Sequence, residues 1–177
     1  MAFLNRRVFL ASAPTAMVFA RPAFANPGKA RTLAFDNLHT GERLAVDYWA
    51  HGTYIPEALT AINHLLRDFR TGDVHIIDPR LLDLLTLLHA KLETNSPFSV
   101  ISGYRSPATN ANLRAEHQHS GVAAKSLHMQ GMAIDIRVAG RSLDALHKTA
   151  LALQGGGVGY YPQSDFVHVD VGRPRAW

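Results

Sequence analysis

Two short segments of this chain alternate so as to put potential metal ligands on one side. In Met132-Ala133-Ile134-Asp135-Ile136-Arg137-Val138 the even-numbered positions are apolar, and Asp135 and Arg137 share the opposite side with Ala133. In Phe166-Val167-His168-Val169-Asp170-Val171 the three valines form one side and Phe166, His168 and Asp170 the other. If both segments are strands of one sheet with their valines and isoleucines on the core, Asp135 and His168 emerge together on its exposed face. His128 stands seven residues before Asp135, with Gly131 between them to let the chain turn back. Two imidazoles and a carboxylate converging on an open face suit a catalytic zinc, with the fourth tetrahedral position left to water. A plainer alternative stands beside this one, because a histidine or aspartate at a strand end is commonly a hydrogen-bonded structural residue. No H-E-x-x-H is present to decide between them.

Composition narrows the chemistry. The chain has ten histidines, all after residue 25, and no cysteine, so every thiol mechanism, disulfide and lipid-anchored cysteine is excluded. A serine enzyme is disfavoured by the absence of S-x-x-K and G-x-S-x-G. At the start, Arg6-Arg7 precedes an apolar run from Val8 to Ala20 and the small-residue site Ala23-Phe24-Ala25, which reads as a twin-arginine signal cleaved after Ala25. The run is too short for a membrane span, which needs about 20 residues. Removing residues 1–25 of 177 leaves 152, the size of one domain over 26–177. Arg6, Arg7 and Arg21 leave with the signal, so 18 basic residues become 15 against 14 acidic ones and the formal charge falls from +4 to about +1. Nothing in that balance argues for nucleic acid as a partner. A periplasmic protein with no membrane anchor after cleavage, acting as a monomer, is expected.

The elements that must position these residues can be read from periodicity. TLAFD at 32–36 and RLAVDYW at 43–49 read as strands joined through a turn ending at Gly41. Leu59, Ile62, Leu65, Leu66 and Phe69 follow helical spacing from Pro56 to Phe69, with Gly72 beyond as a stop. Asp78 as N-cap and Pro79 at the first helical position announce a second helix carrying Leu81, Leu82, Leu84, Leu85, Leu87 and Leu88 towards Leu92. Later come a strand at 98–102, a short helix at 109–117, a strand at 132–138, a helix at 143–153 broken by Gly155-Gly156-Gly157, and strands at 158–161 and 166–171. Helices early and strands late predict an α+β domain: a small antiparallel sheet carrying the metal site, with helices packed on one face.

The string SLHMQGMAID, residues 126–135, resembles the S-x-H-x-x-G-x-A-x-D pattern of zinc D-Ala-D-Ala carboxypeptidases, vancomycin-resistance dipeptidases and phage endopeptidases, whose domain is similar to the Hedgehog signalling domain. SGYRSP at 102–107 and FVHVD at 166–170 match two further elements in the same order. Within that superfamily the chain is most similar to the murein endopeptidase K family, through NLHTGERLAVDYW, INHLLRDFRTGDVHIIDPRLLDLL and GGGVGYYPQSDFVHVDVGRPRAW, a likeness that runs from about Leu33 to Trp177. The resemblance implies His128, Asp135 and His168 as zinc ligands, the trio that strand alternation also selects.

For the general base, related peptidases often place a carboxylate or histidine three residues before the last ligand, which here is Asp165. Strict alternation would put Asp165 on the face opposite His168, whereas Asp170 shares that face and could orient His168 or act as base itself. Asp165 is favoured because it follows Ser164 where the strand begins and alternation need not hold. Arg105, after a strand ending near Ser102-Gly103, could stabilise a developing oxyanion or hold a substrate carbonyl or carboxylate, and the alternative is a surface arginine bonding loop carbonyls. The resemblance favours substrate binding. Ser126 could bind substrate backbone or cap a loop. Tyr104, Tyr160 and Tyr161 could wall a groove or simply pack half-buried. His117, His119 and His147 match no motif and read as surface or loop residues.

The resemblance implies a zinc peptidase that hydrolyses cross-links between peptidoglycan stem peptides, with bridges joining two diaminopimelate residues favoured. A carboxypeptidase trimming terminal D-alanine is the near alternative. A non-catalytic domain with a structural metal is the distant one, and a fourth protein ligand would mark it.

Overall fold

The computed structural model of the chain describes residues 30–116 and 122–177, so the signal expected at 1–25 and the histidines His117 and His119 lie outside the described residues. The first strands, β1 (Arg31–Asn37) and β2 (Arg43–Ala50), form an antiparallel hairpin, and β2 continues into the two-residue β3 (Thr53–Tyr54). The rest of the sheet comes from β4 (Phe98–Ser102), β5 (Ala133–Val138), β6 (Gly157–Tyr161), β7 (Phe166–Asp170) and β8 (Arg175–Ala176). Their order is β3-β2-β1-β4-β5-β7-β6-β8. The α+β class is as the sequence predicts, but the sheet is larger and mixed. The hairpin joins through a parallel β1–β4 pairing, and β8 joins β6 in parallel. The stretch β4-β5-β7-β6, which is antiparallel throughout, is the part that carries the candidate ligands.

One face of the sheet is apolar. Leu33, Phe35, Phe98, Val100, Ile134, Ile136, Val167 and Val169 lie there, buried against leucines and isoleucines of the helices. Each such side chain contributes about 2 kcal/mol through burial. The facing helices are α1 (Pro56–Leu65), α2 (Pro79–Leu92) and α4 (Leu143–Leu153), while α3 (Pro107–Glu116) follows β4. Asp78 caps α2 by accepting from the Arg80 amide at 2.9 Å, and Ser142 caps α4 through the Ala145 amide at 3.1 Å. Leu87, grouped with the core leucines by the sequence, is 55% exposed on the outer side of α2.

Helix α1 stops four residues before Phe69, where its apolar spacing ends. Tertiary bonds compete for the carbonyls of its last turn: Asn37 Nδ2 donates to the Leu65 carbonyl at 2.9 Å, and the Tyr104 amide to that of Leu66 at 2.7 Å. Phe69 is used outside the helix, stacked on His39 at 3.8 Å between ring centres. Asp68, buried in the same loop, accepts from the Ser106 amide at 2.8 Å and so ties the loop to the start of α3.

Candidate active site

In the β5–β7 ladder Asp135 stands directly opposite His168, so the two side chains rise on one face, away from the apolar core. His128 reaches them from a single 3-10 turn, Leu127–Gln130. Ser126 Oγ caps that turn through the His128 amide at 3.4 Å, and Gly131 closes it with φ +66°. A β-carbon at 131 would also collide with the Ile76 carbonyl, so glycine is required twice over.

Three ligand atoms converge. His128 Nε2 lies 3.1 Å from His168 Nδ1 and 3.2 Å from Asp135 Oδ1, and His168 Nδ1 lies 2.9 Å from the same oxygen. The outer nitrogens decide the protonation. His128 Nδ1 faces the Gly103 carbonyl at 2.7 Å and His168 Nε2 faces an Asp170 carboxylate oxygen at 3.1 Å. Both partners only accept, so the neutral form of each ring keeps its proton on the outside and turns a bare lone pair inward. Two nitrogen lone pairs and a carboxylate oxygen therefore point at one spot with no proton between them, which a cation would satisfy. Their separations approach the roughly 3.3 Å edge of a tetrahedron with metal bonds of about 2.0 Å.

Burial sharpens the demand for positive charge. His128, Asp135 and His168 are only 2%, 5% and 8% exposed, so the face expected to be open is covered here, by the 3-10 turn and by segments that follow β4 and β7. Burial pushes the Asp135 carboxyl up, but His128 and His168 outweigh it and hold the group well below the usual carboxylate range. Burial alone would lower the His168 imidazole, yet the negative charges of Asp135 and Asp170 beside it raise it.

Two further groups frame the trio. Arg105 is nearly buried, with Nη2 3.7 Å from Asp135 Oδ2, and its Nε is a buried donor with no hydrogen-bond partner among the described residues. Burial pulls its guanidinium below its ordinary value and Asp135 counters that. Arg105, Ser126 and the trio line one cavity of about 180 Å³. Asp170 is completely buried and has no spare capacity. It meets His168 Nε2, accepts from the Gly157 and Gly172 amides at 2.9 and 2.8 Å, and holds Arg175 through two contacts of 2.6 and 3.1 Å.

Residues 25–177 match the family described as peptidoglycan L,D-endopeptidase MepK. The peptidoglycan L,D-endopeptidase MepK of Escherichia coli strain K12 is 43% identical, over 98% of this chain and 97% of its own length, and that of Shigella flexneri is equally similar. A probable peptidoglycan L,D-endopeptidase MepK of Haemophilus influenzae is 42% identical, over 88% of this chain and 83% of its own. The chain belongs to the MepK family. Membership makes it an enzyme, a hydrolase of the metallopeptidase class, and His128, Asp135 and His168 are a group that could hold a metal ion.

The remaining residues singled out in this MepK relative fall into two groups. Asp165 has φ +55°, so the backbone does break alternation there, but the carboxylate is 61% exposed, paired with Arg137, and outside the cavity that the trio lines. Asp170, its rival, is locked behind His168. Ser126 is a cap that also lines the cavity. Tyr104 stacks on His75 and Tyr160 on His147, which sits half-buried on α4 rather than in a loop, so only Tyr161 of the three tyrosines lines the cavity. Sequence reasoning missed the Gly103 carbonyl, Arg175 and Trp177. The carbonyl leaves no trace in residue type. The other two could have been suspected from glycines within strand β6, which mark close approaches: a β-carbon at 157 would strike Arg175 and Asp170, and one at 159 would strike Trp177.

Proposed function

We propose that this chain is a zinc-dependent murein endopeptidase that hydrolyses peptide cross-links between peptidoglycan stem peptides, bridges between two diaminopimelate residues being favoured. The observation that carries this reading is the set of three inward lone pairs of His128, Asp135 and His168, backed by the names its relatives bear. These residues would hold the zinc, and only three donors converge among the described residues, which suits an open catalytic site. Zinc, when bound, supplies Lewis-acid polarisation of the scissile carbonyl and a water made acidic near neutral pH. The protein does the rest. Gly103 and Asp170 keep the outer imidazole protons, fixing tautomer and ring orientation. Arg105 offers its unpartnered Nε and adjacent charge to the oxygen that gains negative charge, or to a substrate carboxylate. Asp165 is assigned as general base and would have to leave Arg137 to face the cavity.

An extracytoplasmic site of action follows from a peptidoglycan substrate, with the twin-arginine signal at 1–25 as the proposed route. No helix among the described residues is long and apolar enough to cross a membrane. The unpartnered Arg105 Nε also favours a second reading, a carboxypeptidase that grips a terminal carboxylate. One experiment separates them: digestion of defined cross-linked and uncross-linked muropeptides by the mature protein, with chelator, with zinc restored, and with His168→Ala. Loss of the dimer that stops with chelator, returns with zinc and is absent in the variant is expected. Release of D-alanine alone would select the carboxypeptidase, and a metal-loaded protein that cuts neither substrate would remove both readings.

A further inference from the structure

Trp177 has no part in the chemistry assigned above, yet it is fixed more firmly than an exposed side chain requires. It is 49% exposed. Its amide donates to the Val158 carbonyl at 3.2 Å and its carbonyl accepts from the Tyr160 amide at 3.1 Å, which continues the β6–β8 pairing. The indole N–H donates to Tyr161 Oη at 2.7 Å, the Arg175 guanidinium lies 4.9 Å from the ring centre, and the His168 ring lies 5.2 Å away. Gly159, directly opposite His168 in the ladder, leaves the space: a β-carbon there would come within 2.8 Å of the indole. A side chain at a mid-strand position is given up so that a half-exposed ring can lie beside a candidate ligand. Stability alone does not account for this, since a ring left half in water returns far less burial energy than a core aromatic.

The sheet order gives the arrangement a direction. Arg105 follows β4 on one flank of Asp135 and His168, and Trp177 follows β8 on the other. Both line the same cavity, to which Lys125 and Arg175 add cations, and Tyr161 and Phe166, stacked at 4.6 Å, extend the aromatic side. The indole N–H is already committed to Tyr161, so what the ring offers a ligand is an apolar face held in place beforehand.

We propose that Trp177 is a specificity-determining wall of the substrate groove, packing on the aliphatic stem of a substrate residue while Arg105 receives a carboxylate on the opposite flank. This rests on the peptidase reading above and narrows its substrate class to peptides in which an aliphatic side chain and a free carboxylate flank the scissile bond.

The test is steady-state kinetics of the mature, zinc-loaded protein on a defined cross-linked muropeptide dimer, for wild type, Trp177→Phe and Trp177→Ala, with zinc content measured for each. Trp177→Ala is expected to raise KM about tenfold while kcat and zinc content stay close to wild type, and Trp177→Phe to restore most of the loss. An unchanged KM overturns the proposal, as does a fall in kcat and zinc content with KM unmoved, which would mean that the ring only supports His168. Binding is read separately in a Trp49→Phe background, where Trp177 is the remaining tryptophan. Its emission should shift when the dimer is added to zinc-depleted protein, and emission that stays fixed while calorimetry registers binding overturns the wall. Wild-type protein that neither cuts nor binds the dimer sinks the peptidase reading itself.

Discussion

At the scale of single residues, the two aspartates near His168 differ in what their surroundings leave them free to do. Burial pushes the Asp170 carboxyl up, but His168, Arg175 and two backbone amides outweigh that and keep it ionised well below the usual range. Every approach to it is taken, so it can steer His168 but has no room to accept a proton from a reacting water. Asp165 is less constrained by comparison, exposed and paired with a single arginine, and surface pairs of that kind are worth about 1 kcal/mol or less. Asp165→Asn is therefore expected to lower kcat by about 10²- to 10⁴-fold with zinc content and KM near wild type. Full activity in that variant would leave Asp165 as a partner of Arg137 and nothing more. The pattern of related peptidases and the position after Ser164 at a strand entry point to Asp165, and neither says which way a carboxylate at the head of a strand turns.

At the scale of elements, the strand that governs the site most indirectly is β8, which touches no candidate ligand atom. Arg175 projects from it onto both oxygens of Asp170, whose Oδ2 also faces His168 Nε2. The chain of contacts transmits the position of β8 to the imidazole, and outer partners of this kind typically alter metal affinity by about 10- to 100-fold. Arg175→Ala should weaken zinc binding by that factor in competition with a chromophoric chelator, and Arg175→Lys, which keeps charge but loses the two-point grip, should fall between. Equal affinity in all three proteins would show that Asp170 is held well enough by its two amides. The same neighbourhood shows what the sequence makes legible. Alternation in β5 and β7 predicts the Asp135–His168 pairing because a two-residue period leaves no other face for them. The run Gly155-Gly156-Gly157 reads only as a helix stop, although each glycine also clears a separate neighbour, Leu84, the Asp170 carbonyl and Arg175. Close approaches between distant segments have no local signature, and for the same reason α1 looks four residues longer in the sequence than it is.

At the scale of the whole molecule, the two faces of the sheet work against each other in the absence of metal. The apolar face, from Leu33 to Val169, packs the helices and makes the fold; the other face buries three donors whose lone pairs oppose one another. The core lies entirely on the first side and includes none of the candidate ligands, so the fold should persist without zinc, unlike small domains that are unfolded in its absence. Zinc binding to the folded state alone then adds stability by mass action, about 2.7 kcal/mol at a hundredfold excess over Kd. For a domain of this size that corresponds to a rise in Tm of about 5–10 °C. Scanning calorimetry and far-UV circular dichroism of the mature protein, chelated and then reloaded, should find an unchanged spectrum and a Tm that climbs with free zinc. A chelated protein with no cooperative transition would mean that the leucine core does not suffice and the metal is structural. A Tm indifferent to zinc would mean that the three lone pairs are satisfied by protons, and the case for a metallopeptidase centre at His128, Asp135 and His168 would fail on thermodynamic grounds before any substrate is tried.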